Sequence, residues 1–518
     1  MIRYTPSSQL KFENFQTPFD NQLKKDNKWV RLAALIPWDA CAKIYHRFLN
    51  ANYGAPSINT RLVLGAIIIK HLKTLSDRDV VCEIQENIYL QYFVGFSSFD
   101  PEPSFDPSLF VKFRKRLGLE AFEEMNDLIV SKALRIEKEE DLGKQGGNKK
   151  NSRKAENPQA TEAIGDLEQE SKPETKKENK GRLKMDATVA DQMIVYPTDL
   201  GLLNTARLET ERMIDILHKE SGSKKKPRTY RKKAKKDYLS VAMKKRKSKS
   251  VLRLSIGKQL RYLHRNIKTI KKMWDATKKE LSPFNKKDLR LWWIIQELYA
   301  QQNRMYRDRV RSHAHRIVNI YQPYVRPIPR GKAKGKTEFG AKLGVSEYNG
   351  FCWLDTLSWE AYNEVKDLKK QVILFQKRTG HYPEVVLCDG IYLSRENRKW
   401  LKEKGIRHVG KPLGRPKLQT AYEKRKLKKE RGMRNHIEGK FGQAKNAYGM
   451  TQIRARLQQT SESWIASLFL CMNLVKWLQT SANNFSFLPT IIPALRSRYN
   501  YLLRICDSWL TKTVFIIE

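Results

Sequence analysis

The sequence predicts an α/β protein: a mixed sheet flanked by helices, with an all-α N-terminal domain and a basic helical insertion. Three observations predict this class. Residues 1–134 carry apolar residues at helical spacing, and short apolar strands alternate with helices from residue 182 onward. Residues 219–280 contain 24 Lys and Arg against 4 Asp and Glu. The 518 residues are enough for two or three domains.

The whole chain is strongly basic, with a net charge of +45 from 100 Lys and Arg against 55 Asp and Glu. This excess predicts attraction to nucleic acid or to an anionic membrane surface. The most apolar runs, 61–72 and 463–478, are too short and too polar for a membrane span, so we expect buried helices there. Residues 1–15 show no secretory signal, and the six cysteines form no Cys-x-x-Cys pair. A cytoplasmic, nucleoid-associated protein without zinc or disulfides is therefore expected.

The N-terminal domain is predicted over 1–134. Its segment 59–96 has helical spacing, with Ser76 and Asp77 placed as a cap before a second helix. A short amphipathic helix is predicted over 106–118, and its cations are either a DNA contact or a solvated face. These cations are Lys112, Arg114, Lys115 and Arg116.

Composition also divides the rest of the chain. Residues 135–181 are polar and nearly free of large apolar side chains, which predicts a flexible linker. A second domain is predicted over 182–478, interrupted by the basic insertion at about 219–336. The C-terminal tail, 479–518, is hydrophobic and could serve either packing or oligomer contact.

The first half of the second domain begins with strands. Residues 182–197 are predicted to form two short strands, and 199–220 a helix. Within the insertion we expect 224–236 to be extended or mobile, and 250–274 and 288–312 to be helical.

Strand signals return after the insertion. A hairpin is predicted over 337–359 with Asn349-Gly350 at its turn, followed by a helix over 361–380. The run 383–389 is almost wholly apolar, as expected of a central strand that is buried on both faces. The last predicted elements of the sheet region are a helix over 394–405 and a strand over 406–412.

Two aspartates lie where strands are predicted to end. Asp186 follows the first strand, and Asp389 lies at the carboxyl end of the buried strand. A half-buried carboxylate needs a partner, and this edge of an open α/β sheet is where ligands bind. The alternative is that each aspartate caps the helix or turn that follows it.

A glutamate stands within a basic helix. Arg431, Arg434, Glu438 and Lys445 share nearly one helix face. The alternative is that Arg434 and Glu438 form an ordinary surface ion pair four residues apart.

Two strand-end aspartates and a helical glutamate, 203 and 49 residues apart, resemble the Asp-Asp-Glu triad of DDE transposases. The chain resembles more closely the transposases of bacterial insertion sequences of the IS-five group. "LSDRDVVCEIQENIYLQYFVGF" and "FDPSLFVKFRKRLG" are similar to the helical N-terminal domain of that group. Its two aspartate segments and its glutamate helix are similar to "KMDATVADQMIVYPTDLGLLNTAR", "CDGIYLSRENRKWLKEKGIRHVGKPLGRP" and "RGMRNHIEGKFGQAKNAYGM".

The resemblance implies an RNase H-like fold in which Asp186, Asp389 and Glu438 are catalytic and bind two Mg²⁺ ions, with Mn²⁺ as a substitute. Such ions suit carboxylate ligands and the chemistry of phosphodiester cleavage. The wider superfamily has a helix pattern, Tyr-x2-Arg-x3-Glu-x6-Lys, whose Arg and Lys positions fall on Arg434 and Lys445.

Both of these cations would then bind phosphates or flanking bases of DNA. Arg431 stands at the tyrosine position of the pattern, which leaves its role in DNA binding open.

The function that the resemblance implies is DNA transposition: cleavage of element ends and joining of the 3′-hydroxyl to target DNA. The N-terminal domain would recognise terminal inverted repeats, the insertion would hold DNA backbone, and a homodimer would pair the two ends. Two alternatives remain open at this stage. One is a non-catalytic nucleic-acid-binding protein, and the other is a nuclease of the same fold without strand transfer.

Overall fold

The structure is a computed structural model. It describes residues 23–50, 56–146, 178–276, 282–329, 337–410, 413–414 and 420–482, without the side chains of 136–146. The predicted linker lies outside the described residues between 147 and 177, and the predicted C-terminal tail lies outside them from 483 onward.

The N-terminal region is helical, as predicted. Ser76 caps the fourth helix: its hydroxyl accepts from the Asp79 N–H at 3.2 Å, and the Asp79 carboxylate accepts from the Ser76 N–H at 3.2 Å. The helices among its described residues are α1 (Lys28–Leu35), α2 (Trp38–His46), α3 (Thr60–Lys73), α4 (Asp77–Glu86), α5 (Ile88–Val94) and α6 (Leu109–Gly146).

Helix α6 is much longer than the short helix predicted over 106–118. Gly118, with φ 57°, kinks it, and the chain then resumes helical geometry to Gly146. Phe122, Met125 and Ile129 keep the apolar spacing beyond the kink and are buried. The helix therefore also extends into the first residues of the predicted linker.

A mixed six-stranded sheet forms the centre of the second region, and the predicted α/β class is observed. Strand β3 pairs antiparallel with β1, β2 and β4, whereas β5 is parallel to both β1 and β6. The strands are β1 (Arg182–Asp191), β2 (Arg326–Pro329), β3 (Thr337–Tyr348), β4 (Phe351–Ser358), β5 (Val385–Leu387) and β6 (Arg407–His408).

Strand β1 corrects one prediction. Residues 182–191 form a single strand rather than the first of two short ones, and eight of them pair with β3. Lys184, Asp186 and Thr188 alternate with the apolar Leu183, Met185, Ala187 and Val189, which is the two-residue period of one continuous strand. Backbone pairing with β3 carries that strand to Asp191.

Two predictions about the sheet are confirmed. The β3–β4 hairpin turns at Asn349 and Gly350, whose φ values of 50° and 85° are those that a two-residue turn of type I′ requires. Strand β5 is fully buried and parallel to its neighbours. Strand β2 was not predicted, because Pro327 and Pro329 weaken the strand signal and fit only a sheet edge.

Four helices lie between β1 and β2 in the described part of the chain, and the first, third and fourth of them share an apolar core. This core includes Leu203, Ile214, Leu263, Ile267 and Ile295. The helices are α7 (Asp199–Ser221), α8 (Arg231–Ala242), α9 (Lys249–Ala276) and α10 (Lys286–Arg307).

Helix α8 includes residues 231–236, which were predicted to be extended. Arg231 ties its first turn to α7, because the Nη1 atom donates to Asp215 Oδ2 at 2.7 Å. Ala234 is fully buried and Gln259 Nε2 donates to its carbonyl at 3.1 Å. These tertiary contacts outweigh the repulsion among the neighbouring lysines.

The remaining helices cover both faces of the sheet. Leu183 and Met185 of β1 share a core with residues of α11 and α12, whereas Leu343 and Val345 of β3 share one with α13 and α14. These helices are α11 (Asp367–Thr379), α12 (Arg395–Glu403), α13 (Ala421–Ala447) and α14 (Gln458–Ala482). In the described part of the chain, every helix is too short or too polar to cross a membrane.

Candidate active site

Asp186 lies in the middle of β1, not at its end as predicted. Pairing with β3 continues to Asp191, but pairing with β5 stops at Lys184. Asp186 therefore lies just past the last residue of β1 that has a neighbour on the β5 side. The effect is the one expected of a strand end, since β1 has no strand partner on the β5 side beside Asp186; we call the region next to this unpaired edge the cleft.

Asp389 follows the end of β5 by two residues. The parallel register pairs Lys184 with Leu387, so the same offset places Asp186 and Asp389 side by side at the edge of the sheet. Asp389 also caps the 3-10 turn Gly390–Tyr392, since its carboxylate accepts from the Gly390 N–H at 2.7 Å. Asp389 therefore both caps this turn and lies at the cleft.

Glu438 reaches the same region from α13. Ile437 is fully buried beneath the helix and fixes its position on the sheet. Arg434 then joins the two elements: its Nη2 donates to Glu438 Oε1 at 2.9 Å and its Nη1 to Asp186 Oδ2 at 3.3 Å. The Arg434–Glu438 pair is thus more than a local surface ion pair, because it also binds a carboxylate 248 residues away.

The electrostatics of Asp186 reflect its burial. Desolvation is the main cause that raises the pKa of this carboxyl to about 6, and the nearby charges of Glu364 and Asp389 act in the same direction. A hydrogen bond from the Ala187 N–H and the charge of Arg434 act in the opposite direction. The raised pKa shows that these two stabilising contacts do not fully offset the loss of water around the carboxylate.

The donor chemistry of the cleft fits a hard divalent cation. Asp186, Asp389 and Glu438 offer carboxylate oxygens, the ligands that Mg²⁺ and Mn²⁺ prefer. Burial, together with the two aspartates, raises the pKa of the adjacent Cys388 thiol to about 12, so it is not a thiolate at neutral pH. As the side chains stand, however, the described residues contain no group of three His, Cys, Asp or Glu gathered closely enough to hold a metal ion. Two of the three carboxylates point to Arg434 instead.

A fourth carboxylate near the cleft was missed by sequence reasoning. Glu364 lies in a 3-10 turn, Glu364–Lys366, within the segment that was predicted as a helix over 361–380. Its charge acts on Asp186, and its Oε1 lies 2.9 Å from Lys342 Nζ. Glu364 lies six residues beyond the end of β4, so no strand-end signal marked it in the sequence.

One buried amide holds this turn beside the Asp389 loop. Asn397 Nδ2 donates to the Val365 carbonyl at 2.9 Å and to the Tyr392 carbonyl at 2.7 Å. Tyr392 is fully buried, and its hydroxyl has no hydrogen-bond partner among the described residues. Asn397 therefore fixes the spacing between the two turns.

The other predicted cations of α13 lie along the helix. Arg431 is exposed. Lys445 is mostly covered, with 18% of its side chain exposed, and its Nζ lies 3.7 Å from Glu338 Oε1 on β3. Arg434, predicted to contact DNA, is instead bonded to the two carboxylates, with 27% of its side chain exposed.

The four cations at the start of α6 differ in their exposure to solvent. Lys112, Lys115 and Arg116 are exposed. Arg114 is buried: its Nη1 donates to Asp77 Oδ2 at 3.0 Å, and its guanidinium lies 4.8 Å from the ring of Trp464. Arg114 thus joins α4 to α6 and α14, a structural position that its charge alone did not predict.

Two family models match the chain. Residues 386–475 match the model described as "Transposase DDE domain", and residues 17–116 match "Transposase domain (DUF772)". The first range contains Asp389 and Glu438 but begins after Asp186, and the second ends at Arg116.

A search of curated proteins found "Uncharacterized protein ORF8 in nfe locus" of Rhizobium meliloti. It is 36% identical to the chain over 133 residues, which are 26% of this chain. The chain spans 64% of the length of that protein. No solved structure matches the chain at a significant level.

Proposed function

The chain belongs to the DDE transposases of insertion sequences, and on that premise we propose that it cuts the ends of its element and joins the freed 3′-hydroxyls to target DNA. The predicted family is confirmed, and with it the RNase H-like fold. The matched models do not specify a group, so membership of the IS-five group remains part of the proposal.

One observation carries the mechanism: Arg434 bonds both Asp186 and Glu438, while Asp389 continues the register that places it beside Asp186. In this proposal the three carboxylates, from distant parts of the chain, would gather at one edge of the sheet around a cation. Only 17% of the Asp186 side chain is exposed, and an acid so placed costs free energy unless a cation stabilises it.

Asp186, Asp389 and Glu438 would hold two divalent ions, normally Mg²⁺ with Mn²⁺ as a substitute. Such ions activate a water or 3′-hydroxyl and stabilise the leaving oxygen of a phosphodiester. The protein would supply this chemistry with hard oxygen donors, and Asp186 would have to lose its proton to be one of them.

Arg434 has two roles in this proposal. Its guanidinium keeps Asp186 and Glu438 from repelling each other and orients both side chains toward the cleft. It has five N–H donors in all, so donors remain for a DNA phosphate. Arg431 and Lys445 on the same helix would position the backbone on either side of the cut.

The remaining partners follow from the family. The domain at 1–134, through the exposed Lys112, Lys115 and Arg116, would bind the terminal inverted repeats, and two copies of the chain would pair the ends. The protein would act in the cytoplasm on nucleoid DNA. The linker at 135–181 and the catalytic domain at 182–478, with its insertion at about 219–336, belong to the same proposal.

The test uses the full-length protein, Mg²⁺ and labelled DNA from either side of its gene. The expected result is nicking and joined products for the wild type, and binding without nicking for Glu438→Gln. Glu403→Gln, an exposed acid on α12, is the matched control and should cleave normally.

Each other outcome has a meaning. Cleavage by Glu438→Gln at the wild-type rate would refute the assignment of that residue. Binding without nicking by the wild type would indicate a nucleic-acid-binding protein. Nicking without joined products would indicate a nuclease.

A further inference from the structure

A basic groove runs between α9 and α10, outside the candidate active site. Its volume is about 550 Å³. The residues of its lining that matter here are Arg261, Arg265, Lys268, Lys272, Tyr299 and Tyr306.

The four cations form a straight line. They follow one another at spacings of four, three and four residues, which places them on one face of α9. The line is about 16 Å long, at 1.5 Å per residue. One strand of B-DNA presents about five phosphates over that length. The groove therefore matches a linear polyanion in both length and charge.

Carboxylates do not neutralise this line. Among the described residues, none of the four cations has an acidic partner within ion-pair distance. The Arg265 guanidinium instead lies over the rings of Tyr230 and Tyr262, at 4.4 and 5.7 Å from their centroids. An aromatic face holds a guanidinium in place and leaves its positive charge available to an external anion.

The wall of the groove is built by close packing. A Cβ atom at Gly257 would lie 2.6 Å from the Tyr306 hydroxyl, so the glycine allows that tyrosine to reach α9. Arg253 then lies over the Tyr306 ring at 4.3 Å. Between the same two helices, the rings of Tyr299 on α10 and His264 on α9 stack with their centroids 5.4 Å apart. These contacts order the side chains before any ligand arrives, which lowers the entropic cost of binding.

From these observations we propose that the groove between α9 and α10 binds the phosphodiester backbone of duplex DNA without reading its sequence. This deepens the proposed function, on which it rests only for the choice of DNA as the polyanion. The cations bind phosphates on the insertion while the carboxylates act elsewhere, so the two sites are separable by substitution.

The test compares two double variants of the full chain with equal loss of charge. Lys268→Gln with Lys272→Gln alters the groove, and Lys249→Gln with Lys271→Gln alters exposed lysines of α9 outside its lining. The dissociation constant for a duplex of random sequence is measured from about 50 to 200 mM salt. The groove variant should bind about tenfold more weakly, and its slope of log affinity against log salt should fall by nearly two.

The control variant should lose clearly less. Equal losses for the two variants, or an unchanged salt slope for the groove variant, would overturn the proposal. A loss confined to single-stranded DNA would overturn the duplex assignment. Failure of the proposed function would look different, since duplex binding in the groove would persist in a wild-type protein that never cleaves.

Discussion

The candidate active site and the groove between α9 and α10 treat their arginines in opposite ways. In the site, Arg434 donates to Asp186 and Glu438, so carboxylates cancel its charge. In the groove, Arg265 lies over two tyrosine rings, which hold it without cancelling its charge. The difference teaches that the partner of a basic residue, rather than the net charge of its surroundings, decides what it can bind.

The same rule separates cations that offer DNA only spare N–H donors, as Arg434 would, from those that also offer an uncancelled charge. A cation with acidic partners fixes the positions of those acids, as Arg434 does in the cleft. A cation held by a ring or by solvent keeps its attraction for phosphate. Three substitutions outside the groove test this distinction.

The largest expected effect on stability is at Arg114. Arg114→Ala removes a buried guanidinium from Asp77 and Trp464, and it should lower the free energy of unfolding by about 3 kcal/mol. Lys115→Ala, one residue away and exposed, should leave stability nearly unchanged. Denaturant unfolding of the two variants measures both values. Equal stability of the two variants would mean that the burial of Arg114 and its carboxylate partner do not stabilise the fold.

A smaller effect on activity is expected at Glu364. If its charge belongs to the cleft, Glu364→Gln should slow cleavage about tenfold, which corresponds to about 1.4 kcal/mol of barrier. Glu360→Gln is the matched control, because Glu360 pairs with Arg326 and His315 away from the cleft. Single-turnover rates compare the two variants. If the control variant cleaved more slowly than Glu364→Gln, Glu364 would have no role in the site.

The smallest effect concerns Glu123, a carboxylate with too little positive charge beside it. Burial, helped by the charge of Asp355 and opposed by Arg378, raises the pKa of Glu123 to about 7. Because the folded pKa lies above the ordinary value, stability is lost as the pH rises through about 7. Glu123→Gln should therefore raise the melting temperature by a few degrees at about pH 8 and not at about pH 5. A gain of equal size at both pH values would contradict this account.

Much of the fold follows from local sequence. Helical spacing predicted α3, and the Ser76 cap predicted the start of α4, because both signals lie within a few residues. The Asn349-Gly350 turn was predictable for the same reason: few other residue pairs adopt its backbone angles. The apolar run at β5 was correctly assigned to a central strand.

The errors arise where distant residues decide the outcome. Residues 182–197 were predicted as two short strands, yet pairing with β3 carries the first strand unbroken to Asp191. The extension of α6 depends on apolar residues beyond the Gly118 kink that pack in the core. The start of α8 depends on Asp215, which lies on the preceding helix.

The candidate site was predictable in its residue types but not in its contacts. Strand ends and a basic helix pointed to Asp186, Asp389 and Glu438. Nothing local shows that Arg434 bonds Asp186, because 248 residues separate them. Glu364 was missed for the same reason, since its place beside the cleft is set by the two hydrogen bonds of Asn397.

The central claim is that Asp389 and Glu438 act as one unit, and a double-mutant cycle tests it most directly. Cleavage of element-end DNA is measured for Asp389→Asn, Glu438→Gln and the double variant, with duplex binding as the control for folding. Each single variant should lose about 1000-fold in rate, and the double variant should be no more than about threefold slower than the worse single variant. The claim would be contradicted if the two losses multiplied, or if either single variant kept more than about a tenth of the wild-type rate.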